Sequence, residues 1–216
     1  MKKTLTLALV LAGAVMLVSC DTAGKEDYFP LGVGSNWCMT GYESFEQVDQ
    51  PETLFTSVAH TKAVQTTQLT SGEEVVEFSM VETSQVRLPI PREMVYAQTS
   101  FVRESGDYIL TYSSKDATDP DTTLVLPLET GKTWTVCARG DSSITIEVLG
   151  RDDVTVAAGN YSNCWKLAVT STVGANSLTF HWWLADGVGV VKRYLDVTGQ
   201  GVRTVMSYEL QSEDVR

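Results

Sequence analysis

The chain has 216 residues, 27 acidic against 16 basic, with a formal net charge of −11 and a pI near 4.6. With 43% hydrophobic and 9% aromatic residues, it has the composition of one packed globular domain, which argues against long disorder, a collagen-like repeat and a multi-domain enzyme. The acidic balance argues equally against a nucleic-acid binder, because phosphate contacts need a basic field. Valine (27) and threonine (26) lean the chain toward β-structure.

In chain order, Lys2 and Lys3 precede an apolar run from Leu5 to Val18, interrupted only by Thr6 and Gly13. Fourteen residues fall short of the roughly 20 that span a bilayer, but they fit the h-region of a secretory signal peptide. The run ends at Leu17-Val18-Ser19-Cys20 and gives way to the polar stretch 21–27. This resembles the bacterial lipobox. The resemblance implies cleavage between Ser19 and Cys20, diacylation of the Cys20 thiol (palmitate-like chains) and frequent acylation of the new amino group. Two or three buried chains hold a protein to a bilayer where one holds it only marginally. The expected organisation is a signal peptide over 1–19, a lipidated tether over 20–27 and one domain over 28–216. The mature 197 residues carry 14 basic against 27 acidic groups, a net charge of −13. Asp21 after Cys20 implies inner-membrane retention in enterobacteria-like sorting systems. That rule is not general, so cell membrane and outer membrane both stay open, with the domain on the extracytoplasmic side.

From Tyr28 onward, turn signals recur every 8 to 15 residues between alternating or β-branched segments. Trp37 begins a strand. Ala59–Leu69 and Glu74–Val81 flank the turn Ser71-Gly72-Glu73, and Met94–Arg103 and Tyr108–Ser113 flank Ser105-Gly106-Asp107. Tyr108, Leu110 and Tyr112 share one strand face. Thr133–Ala138 turns at Arg139-Gly140-Asp141 into Ser143–Leu149, and further strands fall at 161–172, 178–184, 188–196 and 202–210. No segment carries a helical stripe with caps. The reading is an antiparallel all-β domain of roughly ten to twelve strands, strongly curved or barrel-like. Pro30-Leu31…Gly34…Trp37 recurs as Pro127-Leu128…Gly131…Trp134, in the same register 97 residues later. Either each half needs the same strand-entry turn, or two half-domains begin near 28 and 125.

Beside lipidated Cys20, the cysteines are Cys38, Cys137 and Cys164. Buried thiols, or one disulfide with one thiol left over, both fit, and no spacing matches a zinc site. Asp116, Asp119 and Asp121 share a polar loop that lacks the EF-hand glycine and glutamate, so a solvated acidic loop is expected and no metal. The pairs Glu73-Glu74 and Asp152-Asp153 are expected at turns.

Two further segments accompany the Tyr28–Trp37 opening. The stretch 154–166, V-T-V-A-A-G-N-Y-S-N-C-W-K, and the stretch 182–192, W-W-L-A-D-G-V-G-V-V-K, lie in order behind it. The three resemble a broad set of uncharacterised bacterial lipoproteins with a YFPLxxGxxW-like opening, a V-x-V-x-A-G-x-F-x-N-C-x-K segment and a W-Y-A-P-G-V-G-x-V-K segment. Asp186 stands where that family usually has proline. The resemblance implies an antiparallel curved sheet or barrel, loosely similar to periplasmic lipoprotein-carrier half-barrels, and implies no activity.

Catalytic signatures are missing: there is no G-x-S-x-G, H-E-x-x-H or P-loop. His181, in Phe180-His181-Trp182-Trp183, is conceivable beside Cys164 on neighbouring strands, but a hydrogen-bonded strand histidine explains it better; His60 lies in a threonine-rich strand. Trp182 and Trp183 are adjacent, so in a regular strand one faces the core and the other is exposed or lines a cavity. The expectation is a non-enzymatic binding module for an apolar ligand, lipid or protein segment, without a cofactor. A structural or assembly lipoprotein acting through an envelope protein partner comes second, and a hydrolase third.

Overall fold

The computed structural model describes residues 26–47, 53–87, 91–199 and 202–216. The signal segment, Cys20 and most of the tether lie outside the described residues. Among the described residues there are strands and no helix. The first six strands are β1 (Asn36–Gln47), β2 (Thr53–Gln68), β3 (Glu74–Val86), β4 (Arg92–Ser105), β5 (Tyr108–Tyr112) and β6 (Asp121–Val125). The second six are β7 (Thr133–Arg139), β8 (Ser142–Val156), β9 (Gly159–Val173), β10 (Asn176–Ala185), β11 (Gly189–Gly199) and β12 (Val202–Asp214).

All twelve join one antiparallel sheet in the order β6-β5-β4-β3-β2-β1-β12-β11-β10-β9-β8-β7. Each strand pairs with its sequence neighbours except β6 with β7, and β1 pairs with β12 from Asn36↔Asp214 to Gln47↔Val202. The two edges, β6 and β7, face each other across a seam bridged by side chains. Trp134 Nε1 donates to the Thr122 carbonyl at 3.2 Å, and Arg139 pairs with Asp121 at 2.7 Å. The result is a nearly closed barrel, extending further round than a half-barrel.

Local chemistry accounts for the meander. β-Branched runs fill the strands, and the turns carry glycines in the left-handed region, among them Gly72 (φ 96°), Gly106 (61°), Gly140 (63°) and Gly174 (57°). Residues with a Cβ disfavour that conformation, so these positions fix where the chain reverses.

Period-2 alternation sends one set of side chains inward. Ile146, Val148, Leu167, Val169 and Leu184 from β8–β10 meet Ala63, Phe78, Val102, Ile109 and Leu124 from β2–β6, with Tyr28 packed among them. Fully burying a side chain of the Val, Leu, Ile or Phe class contributes about 1.5–3 kcal/mol. A second cluster forms where the far part of the β8–β9 hairpin folds over: Val154, Val156 and Cys164 pack with Met39, Ala185, Val191, Tyr208 and Leu210. The Ala158 N–H donates to the Leu210 carbonyl there, at 3.1 Å. A third cluster, Leu69, Val75, Phe101 and Tyr112, lies on the other side of the sheet, since Val75 and Phe101 alternate with the inward Val76 and Val102.

The structure departs from the sequence reading in three places. Strand β6 had no strand signal of its own, because its five residues follow the acidic loop without a hydrophobic alternation. Asp152 and Asp153 do not form a turn: they sit inside β8 at a bulge between Asp152 and Val154, because the β-branched run 154–156 continues the pairing. The acidic loop is more than a solvated connection. It folds back over the third cluster, with Thr70 N–H on the Lys115 carbonyl (2.9 Å), Thr70 Oγ1 on Asp116 (2.5 Å) and Lys115 Nζ on Thr67 Oγ1 (2.9 Å). Among the described residues no acidic, histidine or cysteine cluster is placed to hold a metal ion.

Gly41 is the inward position of β1 opposite Tyr208, and a Cβ there would stand 2.6 Å from both the Ser207 carbonyl oxygen and the Tyr208 ring. Gly41→Ala therefore forces the ring off β1. It is expected to cost about 1–3 kcal/mol, as overpacking does, read as a lower urea midpoint at unchanged slope. An unchanged midpoint would show that the ring is free to move.

Candidate functional site

The segment that leads into β1 closes one end of the barrel. The Gly187 N–H donates to the Asp27 carbonyl at 2.7 Å, and the Asp27 N–H donates to Asp186 Oδ1 at 2.6 Å. Tyr28 is buried, and Phe29 stacks edge-on against Phe78 with centroids 5.8 Å apart. Trp37 lies over Phe78 at 6.0 Å and donates Nε1–H to the Val188 carbonyl at 2.7 Å. Gly189 serves this turn through its backbone: its φ of 93° lies in the left-handed region, which residues with a Cβ disfavour, and it stands in ordinary contact with Pro30 and the Tyr28 carbonyl.

Between this segment, β1–β3 and the β10–β11 turn lies a pocket of about 130 Å³. Phe29, Pro30, Trp37, Met39, Phe78, Val188 and Val190 supply apolar walls, and Arg193 is the one charged side chain in its lining. Met39, Thr61 and Arg193 also line an adjoining cavity of about 220 Å³, whose far wall carries Glu43, Glu82, Met206 and Tyr208. Small ligands settle in apolar concavities with a few polar groups, and this pair of cavities has that character.

The register sets the polar row across the inner face. Trp182 stands opposite Arg193, Arg193 opposite Tyr208 and Tyr208 opposite Gly41. The Arg193 guanidinium lies over the Trp182 ring at 5.1 Å. The Tyr208 hydroxyl is 2.8 Å from Glu43 Oε1 and 3.0 Å from Glu82 Oε1, so its single proton is shared between two acceptors. Burial, seconded by the carboxylates, raises the Tyr208 phenol well above its usual range; Ser57 opposes the shift. Burial likewise lowers the pKa of Arg193, opposed by Tyr208 and Glu82, and leaves its Nε sealed from solvent without a hydrogen-bond partner.

A broader concavity of about 760 Å³ lies on the opposite face, between Thr40, Tyr42, Thr56, Thr83, Tyr194 and the Lys192–Glu209 ion pair (2.7 Å). Its lining is largely hydroxyl and charge, so it offers little apolar driving force.

The residues singled out from sequence are scattered. His181 pairs with Ala168 and Tyr194, and Cys164 sits four positions further along β9, about 13 Å away at the strand rise. The structure does not bring them together. Desolvation, then Lys166, lowers the His181 pKa, and its ring lies 6.2 Å from that of Trp183. Burial raises the Cys164 thiol pKa, and Cys38, Cys137 and Cys164 are all free thiols. The expected split of Trp182 and Trp183 is corrected in part. They face opposite sides, but neither is exposed: Trp182 packs on the main cluster and Trp183 on the second. Lys166 covers the Trp183 ring at 5.1 Å, and its Nε1–H reaches Asp152 at 3.1 Å. Of the five tryptophans, Trp37 alone lines the apolar pocket. Arg193 and Tyr208 were missed. An arginine on a strand reads as exposed, and only strand register puts it on the inner face.

No family model matches the chain, and no curated protein matches it. Two solved structures are similar to it, each at 13% identity and covering 88% of this chain and 99% of their own. One is a protein of Bacteroides fragilis, predicted to be exported, with a YmcC-like fold (TM-score 0.49). The other is a predicted lipoprotein of Parabacteroides distasonis (TM-score 0.42).

Tyr28, Tyr161 and Tyr208 all have raised phenol pKa values, in each case first through burial. Unfolded phenols ionise near 10. Above that pH the unfolded chain therefore binds fewer protons than the native one, and stability falls as pH rises. Tyr28, Tyr161 and Tyr208 should gain their 295 nm absorbance only as the chain unfolds in alkali, and their titration in the still-folded protein would contradict the buried network.

Proposed function

We propose that this chain is an extracytoplasmic lipoprotein, held to a membrane by diacylated Cys20, whose barrel is a non-enzymatic binding module for an apolar ligand. The observation that carries the binding role is the pocket walled by Phe29, Trp37, Met39, Phe78, Val188 and Val190. The anchor rests on the basic n-region, the fourteen-residue apolar run and Cys20 at the cleavage position. The pocket and the anchor belong together on this reading, because the segment that leaves Cys20 is the segment that walls the pocket. The likeness to uncharacterised lipoproteins with YFPLxxGxxW openings is part of the same proposal.

A second reading, an assembly lipoprotein acting through protein contacts, is favoured by β4. Residues 92–99 are exposed along their whole length, with Met94, Val95 and Tyr96 at 46%, 64% and 56%. They pair with β3 on one side, whereas the pairing with β5 begins only at Phe101. Such an edge offers unpaired backbone groups to a partner strand.

Three measurements sort these readings. A fatty-acid probe should label the wild type and not Cys20→Ala; equal labelling would remove the anchor. The neutral probe N-phenyl-1-naphthylamine should bind saturably, with energy transfer from tryptophan, and Thr61→Phe should abolish that signal at unchanged melting temperature. Absence of saturable binding to the wild type would count against the apolar site. A photo-crosslinker at Tyr96 should give a discrete envelope-protein adduct in intact cells if β4 is an assembly edge, and none would set that reading aside.

A further inference from the structure

We propose that Arg193 receives the anionic headgroup, carboxylate or phosphate, of a single-chain amphiphile whose tail lies in the apolar pocket. This deepens the binding role proposed above and rests on it. An arginine keeps its charge in any protein setting, so the pocket wall holds a cation. Yet the guanidinium makes no hydrogen bond or ion pair with any other described residue, and its Nε is shut off from water. A buried donor left unpaired costs free energy, and such groups in folded proteins usually have a partner. Its surroundings in the sheet are rings, with Trp182 opposite on one side and Tyr208 on the other. They offer a π face and hold the guanidinium, but they do not satisfy its planar fork. Carboxylate and phosphate oxygens match that fork bidentately.

Glu43 and Glu82 do not fill this role. Both are engaged with the Tyr208 hydroxyl, and neither pairs with Arg193. They line the adjoining cavity and are not part of the apolar pocket's lining. Arg193 thus stands between two unlike spaces, and an anion arriving from the Phe29–Trp37 side meets the cation without meeting a carboxylate on that side. Size restricts the occupant. At about 30 Å³ per water, the 130 Å³ pocket has the volume of only a few waters. A methylene takes about as much room as a water, so the pocket holds the first few carbons of one alkyl chain, with the rest of the chain outside it, and leaves no room for a second chain.

The test uses the whole lipidated protein purified in dodecyl maltoside and released from it in native mass spectrometry, with decanoate, decyl phosphate, decanol, decylamine and inorganic phosphate as separate probes. Wild type is expected to retain one decanoate or one decyl phosphate, and Arg193→Met to lose at least tenfold in that occupancy while retaining decanol unchanged. Arg193→Lys, which keeps the charge and loses the fork, should fall between them; it carries the test if the methionine variant does not fold. Anionic probes bound equally by wild type and both variants, with decanol also bound, would overturn the headgroup assignment and leave the apolar site standing. Preference for decylamine would overturn it in favour of Glu43 and Glu82, and inorganic phosphate binding as well as decyl phosphate would remove the tail. Retention of no amphiphile by wild type would overturn the apolar site itself.

Discussion

A meander of twelve strands becomes a barrel only if its first strand finds its last, and the pairing of β1 with β12 is the contact on which the rest depends. It joins Asn36 to Asp214 across most of the chain, so its loop-closure cost falls due before its hydrogen bonds repay it. What repays it is packing: Gly41 has no side chain, which lets the Tyr208 ring lie across β1, and Met39 joins Leu210 and Tyr208 in one cluster. The same pairing brings the Arg216 N–H to Ser35 Oγ at 2.9 Å. It also draws the Phe29–Trp37 segment across the end of the barrel, which is what makes a pocket there.

Closure is unequal around the ring. Opposite the β1–β12 ladder, β6 and β7 meet through an indole and an ion pair, with no strand ladder between them. Side chains close this seam, so it carries less cooperative hydrogen bonding than any strand pair and is the place where the sheet opens at least cost. Each six-strand arc is introduced by the same P-L-x-x-G-x-x-W pattern, at 30–37 before β1 and at 127–134 before β7. The two tryptophans have matching work: each donates its indole N–H to a backbone carbonyl across a gap that no strand ladder spans, Trp37 to Val188 and Trp134 to Thr122.

The elements legible in the sequence were those whose signal is local. Turn glycines and β-branched runs located eleven strands, though the reading ended β3 and β8 early and began β2 late, because φ above zero and period-2 alternation are properties of a few consecutive residues. β6 escaped because its existence depends on β5 beside it. The function of the acidic loop escaped for a similar reason, since Lys115 and Asp116 are specified by Thr67 and Thr70 on another strand. The candidate site was the least legible. Phe29, Pro30 and Trp37 stood out as a motif, but their partners Phe78, Val188 and Arg193 come from β3, the β10–β11 turn and β11, and only the register of the sheet unites them.

Charge and geometry bear on how an anion would reach Arg193. With signal cleavage after Ser19 the domain would carry −13, and its field would repel anions approaching through water and slow their capture. It also keeps the domain off an anionic bilayer surface. The route with least repulsion is short and apolar. On the lipoprotein reading, Cys20 stands seven residues before Asp27, a span of at most about 25 Å, and Asp27 is pinned to the β10–β11 turn at the pocket. On the same reading the Phe29–Val188 walls lie within that reach of the bilayer, so an amphiphile would pass from lipid to pocket over a short path past little of the acidic surface. On that assignment Arg193, whose Nε has no partner, would hold a headgroup that the rest of the domain turns away.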